Sequence, residues 1–327
     1  MKVTILHGAD AIEPPEDPVL TQLESALKAA GHEPSRLAID VDLTAAIRTL
    51  TAEKPDLVFN LIESFHGKSA LDSNVTALLN LLDLRYTGSS PSGLVLAGDK
   101  SLATRLLRAH GIKTPDSATL FRGSIESAGT LKFPLIVKPP QEDASIGITN
   151  RSVVRDLQEL FTQLDALHGE FNSPILVEEF VEGREMYVGV LGNAAPEALP
   201  VVEMDFTGFP DDKPRIASWA AKWGEDGDEK GAEFAGTNSI FPDDLDEELV
   251  ERLNAVAVDA FHALRLRDYA RVDMRVNAAG EIYVLEVNPN CYLEKHAEFA
   301  RAAAKAGIEY DALIARIVEL AAARYAR

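Results

Sequence analysis

The chain has 327 residues, 46% of them hydrophobic and 26% charged, which is ordinary for a globular protein of two or three domains. Its formal net charge of −20 argues against binding to nucleic acid or to an anionic membrane, because phosphate groups attract clusters of Lys and Arg. The single cysteine, Cys291, excludes an internal disulfide. No apolar stretch reaches the ~18–20 residues of a membrane span, so we expect a cytoplasmic protein.

The first third of the chain alternates between strand and helix patterns. The apolar runs KVTILHG and DLVFNLIE predict short buried strands, and amphipathic patterns near 19–30 and 72–82 predict helices. Such alternation is typical of a parallel sheet flanked by helices, so the predicted fold class is α/β.

Three domains follow from the order of these patterns. The turn-rich segment YTGSSPSG precedes a helix that ends at Gly111, and we place the end of the first domain between them, at 1–97. The strand FPLIVKP, the helix RDLQELFTQLDAL and the strand PILVEEFV form a small α+β unit at 98–178. The third domain, 179–327, begins with strands and closes with helical stretches.

A polar stretch from about 207 to 240 interrupts the third domain and is rich in Gly, Asp and Glu. Irregular stretches longer than ~15 residues inside a compact domain are usually functional lids or disordered. We expect a lid that is poorly anchored until a ligand binds. A helix at about 244–264 and a β-hairpin come after it.

The second strand of this hairpin, IYVLEVNPN, begins apolar and ends with Glu286 and Asn288. Strand side chains alternate between faces, so we expect these two residues to share a face with Ile282 and Val284. A face that should carry core residues then carries an acid. This conflict points to a function for the strand end.

The register of the hairpin decides which residues meet there. If Val276 pairs with Glu281, Arg271 lies opposite Glu286, and Asp273 lies diagonally from Glu286 at roughly 7–8 Å. Two carboxylates and one carboxamide then converge, a ligand set that suits Mg²⁺. The alternative is a cross-strand ion pair beside a turn asparagine.

Two further segments suit a nucleotide. VKPPQEDASIG places Lys138 at the end of a strand, before a polar loop with Ser145 and Gly147, and can supply a cation and backbone N–H groups to phosphates. It contains no Walker motif. ILVEEFVEGREMYV carries Glu178 and Glu185 on either side of a glycine turn, a pattern that by itself is typical of a solvated hairpin.

Taken in order, these segments resemble the ATP-grasp superfamily, and specifically the D-alanine–D-alanine ligases, over nearly the whole chain. The matching segments are FHGKSALD, YTGSS, DKSLATRLLRAHGIKTP, FPLIVKPPQEDASIG, VEEFVEGREMYVGVLG, ARVDMRV and IYVLEVNPN. The resemblance implies an N-terminal parallel-sheet domain that binds substrate, and central and C-terminal domains that sandwich ATP. It also implies ATP-dependent joining of a small carboxylate to an amine.

The resemblance assigns roles on the nucleotide side. Lys100 and Lys138 would contact the phosphates together with the Ser145 loop, although a lysine on a helix such as Lys100 is by default a surface residue. Glu178 and the backbone of Phe180 and Val181 would hold adenine. The ribose hydroxyls would bind Glu185.

The resemblance also assigns the reacting end of the site. Asp273, Glu286 and Asn288 match ligands of two Mg²⁺ ions, for which Mn²⁺ is an alternative. Arg271 matches an arginine that stabilises negative charge at the reacting carbonyl, and Lys222, in the polar stretch, matches a lysine that reaches the transferred phosphate.

The residues at substrate positions depart from the family pattern. Asp143 and Ala144 stand where the family has Gly-Ser, and only Glu13 or Glu16 could serve as its N-terminal glutamate. His66 keeps the family's His-Gly pair, although a histidine before glycine is often structural. The residues at the aligned substrate positions are His66, Asp72, Trp223, Tyr292, Lys295 and His296.

These departures predict a carboxylate–amine ligase that forms ADP and phosphate and acts on substrates other than D-alanine, bulkier or more acidic. The alternatives are a true D-alanine–D-alanine ligase, an ATP-grasp kinase and a nucleotide-binding protein without ligation. The expected partners are a small-molecule carboxylate and an amine, with no nucleic acid and no membrane, and a homodimer is compatible with the chain.

Overall fold

The computed structural model describes most of the chain, including every strand and helix named below. The described residues are 1–9, 16–122, 130–142, 145–171, 174–223 and 231–326, without the side chain of Trp223. Glu13, Asp143 and Ala144, which the sequence analysis singles out, lie outside these ranges. No helix within them is long and apolar enough to cross a bilayer.

The N-terminal elements alternate between strand and helix. They are β1 (Lys2–His7), α1 (Pro18–Ala29), β2 (Glu33–Ala38), α2 (Leu43–Glu53), β3 (Leu57–Asn60) and α3 (Asp72–Leu81). The strands form a parallel sheet in the order β2-β1-β3, which confirms the α/β prediction. Helix α1 begins where Asp17 accepts a hydrogen bond from the Val19 N–H at 2.9 Å, with Pro18 in the first turn. Strand β2 is not predictable from the sequence, because none of its residues is fully buried and its apolar pattern is weak.

The central elements build a second, antiparallel sheet. They are α4 (Pro91–Gly98), α5 (Lys100–Ala109), β4 (Ser117–Leu120), β5 (Leu135–Lys138), β6 (Val153–Val154), α6 (Leu157–Glu170) and β7 (Ile175–Glu179). The strand order is β4-β7-β5-β6, and α6 packs on the sheet through Leu160 and Leu164. Helix α5 starts at Lys100 because the Asp99 carboxylate accepts hydrogen bonds from the Ser101 and Leu102 N–H groups.

The remaining elements build the largest sheet. They are β8 (Arg184–Gly192), β9 (Glu197–Ala198), β10 (Val202–Asp205), α7 (Trp219–Trp223), α8 (Ala232–Ala235), β11 (Asn238–Ile240), α9 (Glu247–Ala263), β12 (Asp268–Val276), β13 (Ile282–Asn288), α10 (Glu298–Lys305) and α11 (Tyr310–Arg324). Its order is β11-β10-β8-β12-β13, with β9 beside β8, and all pairs are antiparallel. One face packs against α9. The other shares a core with α1, α10 and α11, so the N-terminal and C-terminal parts are packed together.

The β12–β13 hairpin differs from the predicted register. Val276 pairs with Ile282 and not with Glu281, because Glu281 belongs to the turn. Asn277 closes that turn: its side-chain oxygen accepts hydrogen bonds from the N–H groups of Ala279 and Glu281, each at 3.0 Å. The strands therefore begin to pair one residue later than expected.

A β-bulge at Leu285 shifts the register again. Asp273 lies directly opposite Glu286, where a diagonal arrangement was predicted, and Arg271 lies opposite Asn288. The expectation that Glu286 shares a face with Val284 is also wrong. Val284 packs in the core beneath α9, whereas the extra residue turns Glu286 to the other face of the sheet.

Candidate active site

Four polar residues meet where β12 and β13 lie side by side. The Arg271 guanidinium grips both oxygens of Asp273, with Nε at 2.7 Å from Oδ1 and Nη2 at 2.8 Å from Oδ2. Asn288 donates from Nδ2 to Asp273 Oδ2 at 3.1 Å. With Glu286 opposite Asp273, the structure brings together the two carboxylates and the carboxamide that the sequence singled out.

This set has the chemistry of a site for a hard divalent cation. Burial raises the pKa of Asp273 to about 6 against the opposing charge of Arg271, and the Glu286 carboxylate adds to the rise. A bound cation would favour the ionised form. The described part of the chain holds no cluster of three or more His, Cys, Asp and Glu side chains arranged for a metal, so the set relies on two carboxylates and an amide. Such a sparse set suits Mg²⁺, which keeps several water ligands.

Three lysines surround Glu286. Lys100 Nζ lies 3.2 Å from Glu286 Oε2 and donates to the Glu142 carbonyl at 2.7 Å. Burial alone would raise the pKa of Glu286, but the ammonium groups of Lys100, Lys222 and Lys138 outweigh burial and hold this pKa well below its usual range. The residue is therefore a fixed negative charge in a strongly positive environment.

A cleft between the four-stranded and six-stranded sheets extends from this point. It collects most of the residues assigned to the nucleotide and the reaction, without Lys100, Arg271 and Asn288. The predicted residues that line it are Lys138, Ser145, Glu178, Phe180, Val181, Glu185, Lys222, Asp273 and Glu286. Segments distant in sequence thus meet in one cleft, which includes the carboxylates of Asp273 and Glu286.

Lys138 and Glu178 form a buried ion pair in this cleft. Lys138 Nζ lies 2.6 Å from Glu178 Oε2, and both residues are almost inaccessible to solvent. Neither Glu178 oxygen meets the geometry of a hydrogen bond in the described part of the chain. A buried carboxylate without aligned donors retains the capacity to bind a donor group of a ligand.

Arg275 is a cleft residue that the sequence analysis missed. Its Nη2 donates to Glu185 Oε2 at 2.8 Å, its Nη1 donates to the Val181 carbonyl at 3.0 Å, and its guanidinium lies 5.1 Å from the Phe180 ring centre. Tyr187 donates to the other Glu185 oxygen at 2.8 Å. The position of Arg275 could have identified it, because Arg275 lies two residues beyond Asp273 on β12 and therefore on the same face of the strand.

The polar stretch of 207–240 is anchored where it is described, contrary to the expectation of a poorly anchored lid. Ser145 Oγ donates to the Ala217 carbonyl at 2.6 Å, and the Trp219 N–H donates to the Ile148 carbonyl at 3.1 Å. Buried Glu233 accepts a hydrogen bond from Asn150 Nδ2 at 2.6 Å. The cause is that α7 and α8 give this stretch regular structure and buried polar contacts.

The residues assigned to substrate are placed less uniformly. Lys295 and His296 are exposed, and neither lines the nucleotide cleft. His66 is exposed in a tight turn at φ +50°, and Asp72 is the first residue of α3. Trp223 ends α7.

Tyr292 points instead to an acid that the sequence analysis overlooked. Its hydroxyl donates to Asp17 Oδ1 at 2.7 Å, across the N-terminal and C-terminal parts. Glu16, one of the two predicted acids, is bound to Arg36 at 2.6 Å and does not face this contact. The Asp-Pro sequence identifies Asp17 as a helix start. Its hydrogen bond with Tyr292 depends on a tertiary contact, which the sequence does not show.

Asp17 and Tyr292 belong to a second pocket, which we call the His7 pocket. It is adjacent to the reacting end, since Asn290 and Cys291 come two and three residues after Asn288 on the chain. Its lining residues are His7, Gly8, Asp17, Val19, Leu61, Glu63, Ser64, Tyr269, Asn290, Cys291, Tyr292 and Leu293.

Comparison with known proteins now decides the family. The profile of the family described as "D-ala D-ala ligase C-terminus" matches residues 106–319. A D-alanine–D-alanine ligase of Aquifex aeolicus is 33% identical over 322 residues, which cover 97% of this chain and 100% of the relative. The chain belongs to the D-alanine–D-alanine ligase family. It is an ATP-grasp ligase of the carbon–nitrogen bond-forming class, as the resemblance predicted.

Two further comparisons extend over nearly the whole chain. A protein of Sinorhizobium fredii named "Uncharacterized protein y4sG" is 32% identical over 316 residues, covering 95% of this chain and 89% of the relative. The crystal structure of a Bacillus anthracis D-alanine–D-alanine ligase complexed with ATP superposes with a TM-score of 0.76 at 24% identity, covering 98% of this chain and 97% of the other. The latter shows the shared ATP-grasp fold.

Proposed function

We propose that this ligase couples ATP cleavage to ADP and phosphate with the joining of a small carboxylate, other than D-alanine, to an amine. The observation that carries the proposal is the convergence of three ammonium groups and one guanidinium on the Asp273–Glu286 pair at the end of the nucleotide cleft. Phosphoryl transfer needs positioning and charge neutralisation above all, and this cluster supplies both.

The chemistry proceeds in two balanced steps. A carboxylate oxygen of the substrate attacks the γ-phosphorus of ATP, the bond between the β–γ bridging oxygen and that phosphorus breaks, and ADP leaves. The amine nitrogen then attacks the carbonyl carbon of the acylphosphate, a C–N bond forms, phosphate departs and the nitrogen releases a proton to solvent. Lys100, Lys138 and Lys222 neutralise the phosphates, and Arg271 stabilises the oxyanion at the carbonyl.

Mg²⁺ fits the strand end, with Asp273, Glu286 and Asn288 as the residues that would hold it. When bound, Mg²⁺ supplies charge neutralisation between the carboxylates and the nucleotide phosphates. The carboxamide of Asn288 donates from its nitrogen to Asp273, which leaves its oxygen for a cation.

The proposal of a substrate other than D-alanine rests on the substrate side of the site. Tyr292 is engaged by Asp17, and Lys295 and His296 are exposed. The second candidate is D-alanine–D-alanine ligation itself, which the name of the Aquifex aeolicus relative favours.

The test is a coupled assay of ADP and phosphate with a panel of amino acids and carboxylic acids, followed by mass spectrometry of the product. Substrate-dependent ADP and phosphate in equal amounts, with an amide product from a pair other than two D-alanines, would support the proposal. AMP and pyrophosphate, or a phosphorylated substrate without free phosphate, would contradict it. D-alanyl-D-alanine as the best product would select the second candidate.

A further inference from the structure

The His7 pocket carries information about the substrate that the nucleotide cleft does not. It lies between the end of β1, the start of α1 and the segment that follows β13, and has a volume of about 190 Å³. A water molecule occupies about 30 Å³ of liquid volume, so the pocket can take a chain of several heavy atoms. Apolar walls from Val19, Leu61 and Leu293 suit the methylene groups of such a chain.

His7 presents a hydrogen-bond acceptor to this pocket. The residue is only 3% exposed, and its Nδ1 lies 2.7 Å from the Gly8 carbonyl oxygen. A carbonyl can only accept, so Nδ1 carries the hydrogen and, in the neutral ring, Nε2 is the acceptor. In the described part of the chain no hydrogen bond reaches Nε2. A buried imidazole with one fixed and one unused nitrogen indicates a donor group on a ligand.

Asp17 presents a second acceptor. Its Oδ1 accepts from both the Val19 N–H at 2.9 Å and the Tyr292 hydroxyl at 2.7 Å. Among the described residues Oδ2 receives no such bond. Helix capping therefore holds the carboxylate in place by one oxygen and leaves the other oxygen available.

The charged side chains that line the pocket are all negative. Asp17 and Glu63 are the charged side chains of its lining, and the described lining contains neither Lys nor Arg. Lys295 and His296, which stand at substrate positions in the family comparison, do not line it. The pocket is therefore unsuited to a carboxylate and suited to a cation with several N–H donors.

The His7 pocket also lies close to the reacting end of the active site. Burial raises the pKa of Cys291, and the charges of Arg271 and Glu63 both act on that thiol. Cys291 is thus near the arginine at the reacting end and near the acid of the pocket. Tyr269, which lines the pocket, lies two residues before Arg271 on β12, so their side chains share a face at a spacing of roughly 7 Å along the strand, which one amino-acid substrate can span.

We infer that the His7 pocket binds the positively charged side chain of a basic amino acid, which is one of the two substrates of the ligase. The inference rests on the proposed ligase function and names its substrate class. The side-chain ammonium would donate to Asp17 Oδ2 and His7 Nε2, with the Glu63 carboxylate adding attraction, and its methylene groups would pack on the apolar walls.

The test compares amino acids that differ only in the terminal ammonium group. Lysine against norleucine and ornithine against norvaline, each as D and L isomers, are assayed for ADP release with a panel of second substrates. We expect kcat/KM for the basic member to exceed that of its neutral match by about tenfold or more, because a hydrogen bond to a charged group contributes about 1.5–3 kcal/mol. Equal values, or a preference for glutamate, would overturn the inference.

Variants show whether the pocket is responsible. Asp17→Asn retains the helix cap, because Asn caps as well as Asp, but removes the charge. It should abolish most of the preference for lysine over norleucine. Glu16→Gln is the matched control, because Glu16 pairs with Arg36 outside the pocket, and it should retain the preference. An unchanged preference in Asp17→Asn contradicts the inference.

A binding measurement separates this inference from the ligase proposal. Calorimetry of lysine and norleucine is performed on the full chain with Mg²⁺ and a non-hydrolysable ATP analogue. Tighter binding of lysine that Asp17→Asn removes supports the pocket even if no pair of substrates yields ADP, in which case the proposed function alone fails. Active ligation together with equal binding of the two amino acids overturns the pocket alone.

Discussion

Arg271 makes contacts in three directions, and together they fix its orientation. Its fork grips Asp273, its Nη1 lies 3.6 Å from Glu298 Oε2, and its guanidinium lies 4.7 Å from the Tyr187 ring centre. Burial acts to lower the pKa of Arg271, but the charge of Asp273 outweighs it and raises the pKa well above its usual value. The side chain is thus a charged group already oriented before a substrate arrives.

Because the guanidinium of Arg271 is held in one orientation, we predict that lysine cannot replace this residue. Arg271→Lys keeps the charge but loses the bidentate contact and the flat surface against Tyr187. We expect kcat to fall about 10²–10³-fold, as for the loss of an oxyanion donor, with little change in KM for ATP. Steady-state kinetics measure both. Arg252→Lys, far from the cleft on α9, is the control and should behave as the native protein, and full activity in Arg271→Lys would refute an oxyanion role.

Glu286 gives a second prediction at the residue scale. Glu286→Gln keeps the shape of the side chain but removes its negative charge. The ammonium groups of three lysines then lose this counter-charge, and a bound Mg²⁺ would have one charged ligand fewer. We expect turnover to fall at least about 100-fold, because even groups that only support metal ligands contribute about 10–100-fold. Turnover at saturating Mg²⁺ and circular dichroism separate chemistry from folding. Glu281→Gln, at the turn of the same hairpin, should leave turnover unchanged, and an active Glu286→Gln enzyme would mean that the carboxylate is structural.

At the scale of elements, the described parts of 207–223 and 231–240 act as a cover over the cleft, fastened through Glu233. This buried carboxylate accepts hydrogen bonds from Asn150, Ser218 and Lys213. Asn150 follows the Ser145 turn beside the cleft, so the contact ties the cover to the loop expected to bind phosphate. We propose that ATP enters the cleft when these contacts open.

Removing the fastening should loosen the cover. In Glu233→Ala the amides of residues 216–222 should exchange about tenfold faster or more, since each lost hydrogen bond to a charged group is worth about 1.5–3 kcal/mol. Hydrogen–deuterium exchange with mass spectrometry measures the effect, and an ATP analogue with Mg²⁺ should reduce it. Glu247→Ala, exposed at the start of α9, is the control. Identical exchange in both variants would show that Glu233 does not hold the cover.

The elements also show what could be predicted from sequence. Helices α1, α3, α5, α6 and α9 were predictable because each has a strong apolar period, and the family motifs located the cleft residues. The bulge at Leu285 was not predictable, because Leu285 is an apolar residue within an apolar run and nothing in the sequence distinguishes it from a regularly paired strand residue. The contact between Asp17 and Tyr292 is invisible for another reason: it joins segments 275 positions apart.

At the scale of the whole molecule, Asp268 joins the N-terminal and C-terminal parts. This fully buried residue, at φ +64°, accepts hydrogen bonds from the Gly88 N–H at 2.8 Å and from Asn193 Nδ2 at 3.1 Å. Arg324 of the last helix binds both of its oxygens, at 3.0 and 2.8 Å. A single carboxylate thus connects the turn before α4, the end of β8, the start of β12 and the end of α11.

The Asp268 contacts predict a large loss of stability on neutralisation. Asp268→Asn tolerates the left-handed backbone but leaves the half-buried Arg324 guanidinium without its counter-charge. We expect a decrease of about 3 kcal/mol in the free energy of unfolding, the low end for breaking a buried ion pair. Urea titration measures it. Asp244→Asn, which breaks the exposed pair with Arg184, is the control and should not change the midpoint, and equal midpoints for the two variants would contradict the role of Asp268.

The boundaries proposed at residues 97 and 178 remain predictions, and the packing bears on how they could be tested. Helix α1 of the first part and helix α11 of the last share one core with α10. A fragment that ends at residue 97 would expose the apolar face of α1 that α11 covers. The parts are therefore expected to be more stable together than apart.

The bulge at Leu285 has a consequence for how this strand can change over generations. With Leu285 deleted, Val284 and Glu286 would be neighbours on opposite faces of the strand, so Glu286 would still lie opposite Asp273 and Val287 would still pack beneath α9. Deleting Val287 would instead make Glu286 and Asn288 neighbours, and Asn288 would turn toward α9 and away from Asp273. The hairpin is therefore expected to tolerate the loss of a residue at the bulge and to lose one member of its polar set when the loss falls two residues later. The position of a change in strand length matters as much as the identity of the acids.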